Sequence, residues 1–256
     1  MKHLKRFPLA AVIITIMLIL EWTDTSAEHF TAIVSSPEQE AEYVCDLIQN
    51  YEYFRVRGYG LDLPAHPVVD ELLEKEQAGT LQASDCAALH QAFEEDIYDE
   101  RDYRRAYRKV KRSLQDVDQV YPVFQEYNEL WRFTLHDTYE VRLTLYGPGG
   151  MFDSESGTIW LMITDADSFK MHDDPKYVII HEATHIGLDK PIVARYGLAQ
   201  PALERLVDQF IVHHFSEILP EYPMQELGDR SIDPYLADRY SWILLPKHIK
   251  AYMADE

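Results

Sequence analysis

His181-Glu182-Ala183-Thr184-His185 are the residues whose types and spacing could do chemistry in this chain. On an α-helix, positions four apart lie one above the other, so His181 and His185 present two imidazoles to one point while Glu182 turns about 100° away. That is the geometry of a zinc site. Two imidazole nitrogens hold zinc at about 2.0–2.1 Å and leave room for a third protein ligand and a water, whose pKa falls towards about 7. Glu182 stands where that water's base would be. A solvated helix face can carry the same five residues, so the context has to decide.

Zinc needs a third ligand, and the ligand imidazoles need an acceptor for their other N–H. Pro201-Ala202-Leu203 opens a second strongly helical segment with Glu204 and, one turn later, Asp208, a carboxylate for each purpose. His181-Glu182-x-x-His185, eighteen residues, then Glu204-x-x-x-Asp208 resembles the gluzincin branch of the zincin metallopeptidases, over residues 177–216. The resemblance implies that His181, His185 and Glu204 bind one zinc ion, that Glu182 is the general base, and that Asp208 holds a zinc-bound histidine. It also implies an α+β, zincin-like fold, mostly helical, with a small antiparallel sheet beside the metal-bearing helix. The metzincin pattern fits less well, because Leu188 and Pro191 stand where it wants glycine and a further ligand. Asp189 is a rival third ligand if the first helix runs on, but Gly187 and Pro191 bracket an expected helix end.

These residues need elements to hold them. Residues 141–145 alternate in hydropathy, and 158–164 form an apolar run rich in β-formers, which predicts two strands of one antiparallel sheet. In a zincin the strand before the metal-bearing helix lines the cleft and can receive an extended peptide; residues 157–164 are the candidate, with an ordinary core strand as the rival reading. Asp173, Asp174 and Pro175 suit the start of the metal-bearing helix. Peptide hydrolysis also needs a donor for the tetrahedral oxyanion. By exclusion Tyr235, Tyr240 and His248 are the candidates, each with core packing as the plainer alternative.

Before residue 138 the pattern is helical. Ser36 is the N-cap of a helix over residues 37–49, residues 68–77 form another that Gly79 ends, and Ser84 caps a long one running towards Val117. Residues 53–60 fit a short strand or a loop. Tyr103, Tyr107, Val110, Leu114 and Val117 make one apolar stripe, and Arg101, Arg104, Arg105, Arg108, Lys109 and Arg112 recur on a neighbouring face. That basic row could dock an anionic partner, or be a solvated face balanced by the acids just upstream. Pro122 restarts a helix through Trp131.

The chain divides into residues 1–27 as a signal peptide, 28–137 as a helical region and 138–256 as the catalytic region. Lys2, Lys5 and Arg6 precede an apolar run, residues 7–20, of about 21 Å as a helix, short for a bilayer core of about 30 Å. An uncleaved anchor is the alternative to cleavage after Thr25-Ser26-Ala27. Export to the periplasm or the medium suits the two cysteines, Cys45 and Cys86, as a disulfide. A net charge of −20 argues against nucleic acid as a partner and favours a cationic or neutral substrate, with simple solubility as the plainer reading. The expected function is an exported zinc metallopeptidase acting on a peptide or protein; the alternative is a zincin-like envelope protein that binds a partner and cleaves nothing.

Overall fold

Local signals account for most of the helices. In the computed structural model, which describes residues 29–165, 168–224 and 228–255, strand β1 (Phe30–Val34) leads into helix α1 (Pro37–Gln49). Ser36 caps α1 by a reciprocal pair of hydrogen bonds with Gln39, and Pro37 follows it where a missing N–H costs nothing. Helix α2 (Tyr51–Val56) occupies the stretch that the sequence left between strand and loop. Next come α3 (Pro67–Gln77), a 3₁₀ turn and α4 (Cys86–Ala92). The long helix expected from Ser84 is broken: a π turn over Phe93–Ile97 and the extended Tyr98 precede a fresh start at Asp99, whose carboxylate caps α5 (Glu100–Asp118). Helix α6 (Tyr121–Trp131) follows. The expected leader lies outside the described residues.

Five strands form the sheet: β1, β2 (Tyr139–Thr144), β3 (Gly150–Asp153), β4 (Thr158–Asp165) and β5 (Ser168–Phe169), in the order β1-β2-β4-β3 with β5 also on β4. The sheet is mixed, which corrects the antiparallel expectation. β2 pairs with both β1 and β4 in parallel, Val141 opposite Ile159, and only β3 and β5 run antiparallel to β4. The short β3, inserted between β2 and β4 in the chain, reverses direction and takes the hairpin position beside β4. Consequently residues 157–164 are not the cleft edge. β4 is interior, and β3 is the edge. Burial explains the apolar composition of β4: Ile159, Leu161 and Ile163 join the core with α5 and α7, while Trp160, on the other face, stacks on Tyr43 of α1 at 5.3 Å.

Helices α7 (Pro175–Leu188) and α8 (Gln200–Phe215) carry the candidate site. Asp174 caps α7 by accepting from Lys176 N. The α-helix ends at Leu188, inside the bracket of Gly187 and Pro191, and the chain winds on as a π turn over Asp189–Ala194. Gly187 is there for space: a Cβ on it would sit 1.7 Å from Cζ of Phe133. After α8 come a 3₁₀ turn over Arg230–Tyr235, α9 (Arg239–Ile243) and α10 (Leu245–Asp255). One core runs from Phe30 through Tyr103, Val141 and Ile180 to Trp242, so it crosses the boundary drawn at residues 137 and 138. A smaller cluster of Val44, Ile48, Leu72, Leu89 and Phe93 surrounds the Cys45–Cys86 disulfide.

Candidate metal centre

Helical spacing sets His181 and His185 side by side on α7, with Nε2 atoms 3.0 Å apart. Glu204 reaches them from α8, its Oε2 lying 3.5 Å from Nε2 of His181 and 3.3 Å from Nε2 of His185. Four tetrahedral bonds of about 2.05 Å put neighbouring donor atoms about 3.3 Å apart, so this triangle matches the bite of a single ion. All three residues are buried, and they are the one His/Cys/Asp/Glu group of metal-binding geometry among the described residues.

The surrounding hydrogen bonds decide which atoms are acceptors. Tyr222 has one proton and donates it to Oδ1 of Asp208 at 3.1 Å, while its oxygen lies 2.6 Å from Nδ1 of His181. A carboxylate can only accept, so Nδ1 of His181 carries the hydrogen and its Nε2 faces the triangle with a lone pair. Gln200, one turn before Glu204, donates to Oε1 of that carboxylate at 2.5 Å. That leaves Oε2, buried and without a hydrogen bond, turned to the imidazoles. Lone pairs converging in a buried site need a cation or a proton between them. The donor set therefore fits a divalent metal. Burial raises the Glu204 carboxyl, but the two imidazoles, when protonated, supply N–H groups and charge that more than reverse this and lower it. Phe152 stacks on His185 at 5.2 Å and fixes the plane of that ring, whose Nδ1 is buried without a partner.

Glu182 shares a cleft of about 290 Å³ with His181, His185 and Glu204. Its carboxylate lies against the main chain of β3, where a Cβ on Gly150 would meet Oε1 at 2.2 Å. Gly150 is thus the residue that admits the acid to the cleft. Burial raises this carboxyl to about 7, His181 pulling it down and Glu204 pushing it up. Tyr53, Phe54 and Tyr59 close the cleft from α2 and the turn after it, with Gln200 also on its wall.

Asp208 lies behind His181, linked to it through Tyr222. Asp189, the rival ligand, accepts from Ser154 Oγ at 2.5 Å instead. The oxyanion candidates do not reach the cleft: Tyr235 hydrogen-bonds Asp255, Tyr240 is 74 % exposed, and His248 sits beside Asp238. Tyr222, Gln200 and Tyr59 are the site residues that sequence reasoning missed. Of these only Gln200 had a signal, four residues before Glu204 on one helix. Comparison with protein-family models, with curated proteins and with solved structures finds no match for the chain in any of the three.

Proposed function

We propose that this protein is an exported zinc-dependent metallopeptidase of the gluzincin kind. One observation carries the reading: three buried atoms of metal-ligating type, Nε2 of His181, Nε2 of His185 and Oε2 of Glu204, converge on one point with a free-standing carboxylate, Glu182, on the same cleft wall. Zinc bound there would polarise a substrate carbonyl and make a water acidic near neutral pH. Glu182 takes the proton of the attacking water and delivers it to the leaving amine. Tyr222 and Asp208 keep His181 in the tautomer that leaves Nε2 available.

The substrate would lie along β3. Met162 N donates to Gly149 O at 2.8 Å, and antiparallel pairs alternate, so Gly150 and Phe152 turn their main-chain groups to the free edge. An extended peptide pairing there is held across the cleft with its carbonyl near the triangle. Export is supported by the disulfide and by the basic and apolar start of the sequence; among the described residues no helix is long and apolar enough to cross a membrane.

The test is metal analysis beside turnover of a peptide library. Glu182→Gln is expected to retain zinc and lose about 10²–10⁴-fold in rate. His181→Ala and Glu204→Ala are expected to lose both metal and activity. Hydrolysis by the Gln variant at the parental rate sinks the mechanism. A chain that binds zinc yet cleaves no peptide would be the partner-binding protein instead.

A further inference from the structure

The edge of the sheet opposite the cleft is also open. β1 is the terminal strand, and among the described residues nothing pairs beyond it. Tyr139 N donates to His29 O at 2.7 Å, and in a parallel pair alternate residues turn both main-chain groups to the same neighbour. Phe30, Ala32 and Val34 therefore turn theirs outward. Beside them runs a groove of about 410 Å³, with residues 32–34 on one side and Glu100, Arg104, Tyr107 and Arg108 of α5 on the other.

That wall is cationic in a protein of net charge −20. Arg104 and Arg108 are exposed and stand one helical turn apart, and Arg112 continues the row. Glu100 lies 3.9 Å from Arg104, an exposed pair that holds it weakly. Arg108 has no ion-pair partner among the described residues. At physiological salt a charge is felt over about 8 Å, so an anion entering the groove is governed by its lining, where Arg104 and Arg108 outnumber Glu100.

We propose that β1 is a docking edge for an extended acidic segment of a partner polypeptide, which adds as a strand beside Ala32 and sets carboxylates against Arg104 and Arg108. The spacing suits it. Alternate residues of a strand are about 6.7 Å apart and helix positions four apart rise about 6 Å, so acids at every second guest position meet successive arginines. Main-chain hydrogen bonds supply the affinity and the arginines the selection. The surface is independent of the metal site and does not rest on its chemistry. The rival role for the arginines is protection, since charged side chains keep an open edge from pairing at all.

Anisotropy titration with a labelled peptide Thr-Glu-Val-Glu-Val-Glu-Thr tests this on the full protein. Saturable binding is expected, weakened at least tenfold by the Arg104→Glu/Arg108→Glu double variant and recovered when lysine replaces glutamate in the peptide. On the unaltered protein, N-methylation of alternate peptide amides should also weaken binding at least tenfold, which separates strand addition from simple charge attraction without relying on a folded variant. Three outcomes would overturn the proposal: no saturation by about 1 mM peptide, binding indifferent to N-methylation, or equal competition by vesicles of anionic phospholipid.

Discussion

Tyr222 decides a tautomer, and so its hydroxyl should govern metal affinity. Removing it in Tyr222→Phe takes away the acceptor 2.6 Å from Nδ1 of His181 and the donor to Asp208 together. Metal affinity, read by competition with a chelator, is expected to fall about 10–100-fold while the chain stays folded. An unchanged affinity would show that Tyr222 does not set the ring. Tyr59 lines the cleft with Gln200 and Glu204, and under the proposed mechanism we assign its hydroxyl as the donor for a developing oxyanion. Tyr59→Phe should lower kcat about 10²-fold with little change in KM or in zinc content; a KM effect alone would make it a binding residue only. The residues that were legible in the sequence, His181, Glu182, His185, Glu204 and Asp208, are those whose partners lie one helical turn away or on a second recognisable helix. Tyr222 lies in an irregular stretch between Pro220 and Pro223, and only the tertiary fold brings it to His181. Tyr235, Tyr240 and His248 were chosen by residue type and position after the ligand helices, and type does not fix place.

At the scale of elements, a local signal can coincide with a packing demand that the sequence does not announce. Gly187 and Pro191 bracket the end of α7 at Leu188, but α7 is also buried on nearly every side and the ring of Phe133 needs the space that a side chain on Gly187 would fill. Gly187→Ala is therefore expected to destabilise by about 3 kcal/mol or more, although alanine is the better helix former by about 1 kcal/mol. Chemical denaturation reads the sign directly, and a stabilised variant would contradict the packing account. The α8 helix has its own anchor. Arg205, beside Glu204, makes a two-pronged pair with Asp233, Nε to Oδ1 at 2.7 Å and Nη2 to Oδ2 at 2.6 Å. Two of the strands, β2 and β4, were legible from alternation and β-forming residues, but their direction was not, and β1, in the part of the chain read as helical, was missed along with β3 and β5. Residues 150–153 are too short and too glycine-led to announce a strand, and without that reversal β2 and β4 read as a hairpin. The expected long helix failed for the complementary reason. Its apolar stripe is genuine, but Asp99 caps a new start that periodicity alone does not show.

Across the whole molecule, Glu40 ties the helical part to the sheet. It sits on α1, fully buried, and its Oε1 accepts from Tyr103 of α5 at 2.8 Å and from Leu145 N, just past β2, at 3.3 Å. Its other oxygen has no partner. Burial raises this carboxyl to about 7, against the pull of the bonds from Tyr103 and Leu145. The ordinary value is 4.5, so the folded chain holds a proton that the unfolded chain releases earlier as pH rises. The stability carried by the protonated form is complete below about 4.5 and is lost as pH climbs through about 7. Between about pH 5 and about pH 8 the loss amounts to about 2 to 3 kcal/mol. Other groups titrate over the same window, and any ion held at the candidate site would be released in acid, but these affect a Glu40→Gln variant equally. The quantity to measure is therefore the difference in unfolding free energy between parent and variant at each pH. It should move by about 2 to 3 kcal/mol in the variant's favour from acid to base, and a difference flat with pH would mean that Glu40 is ionised in the fold throughout.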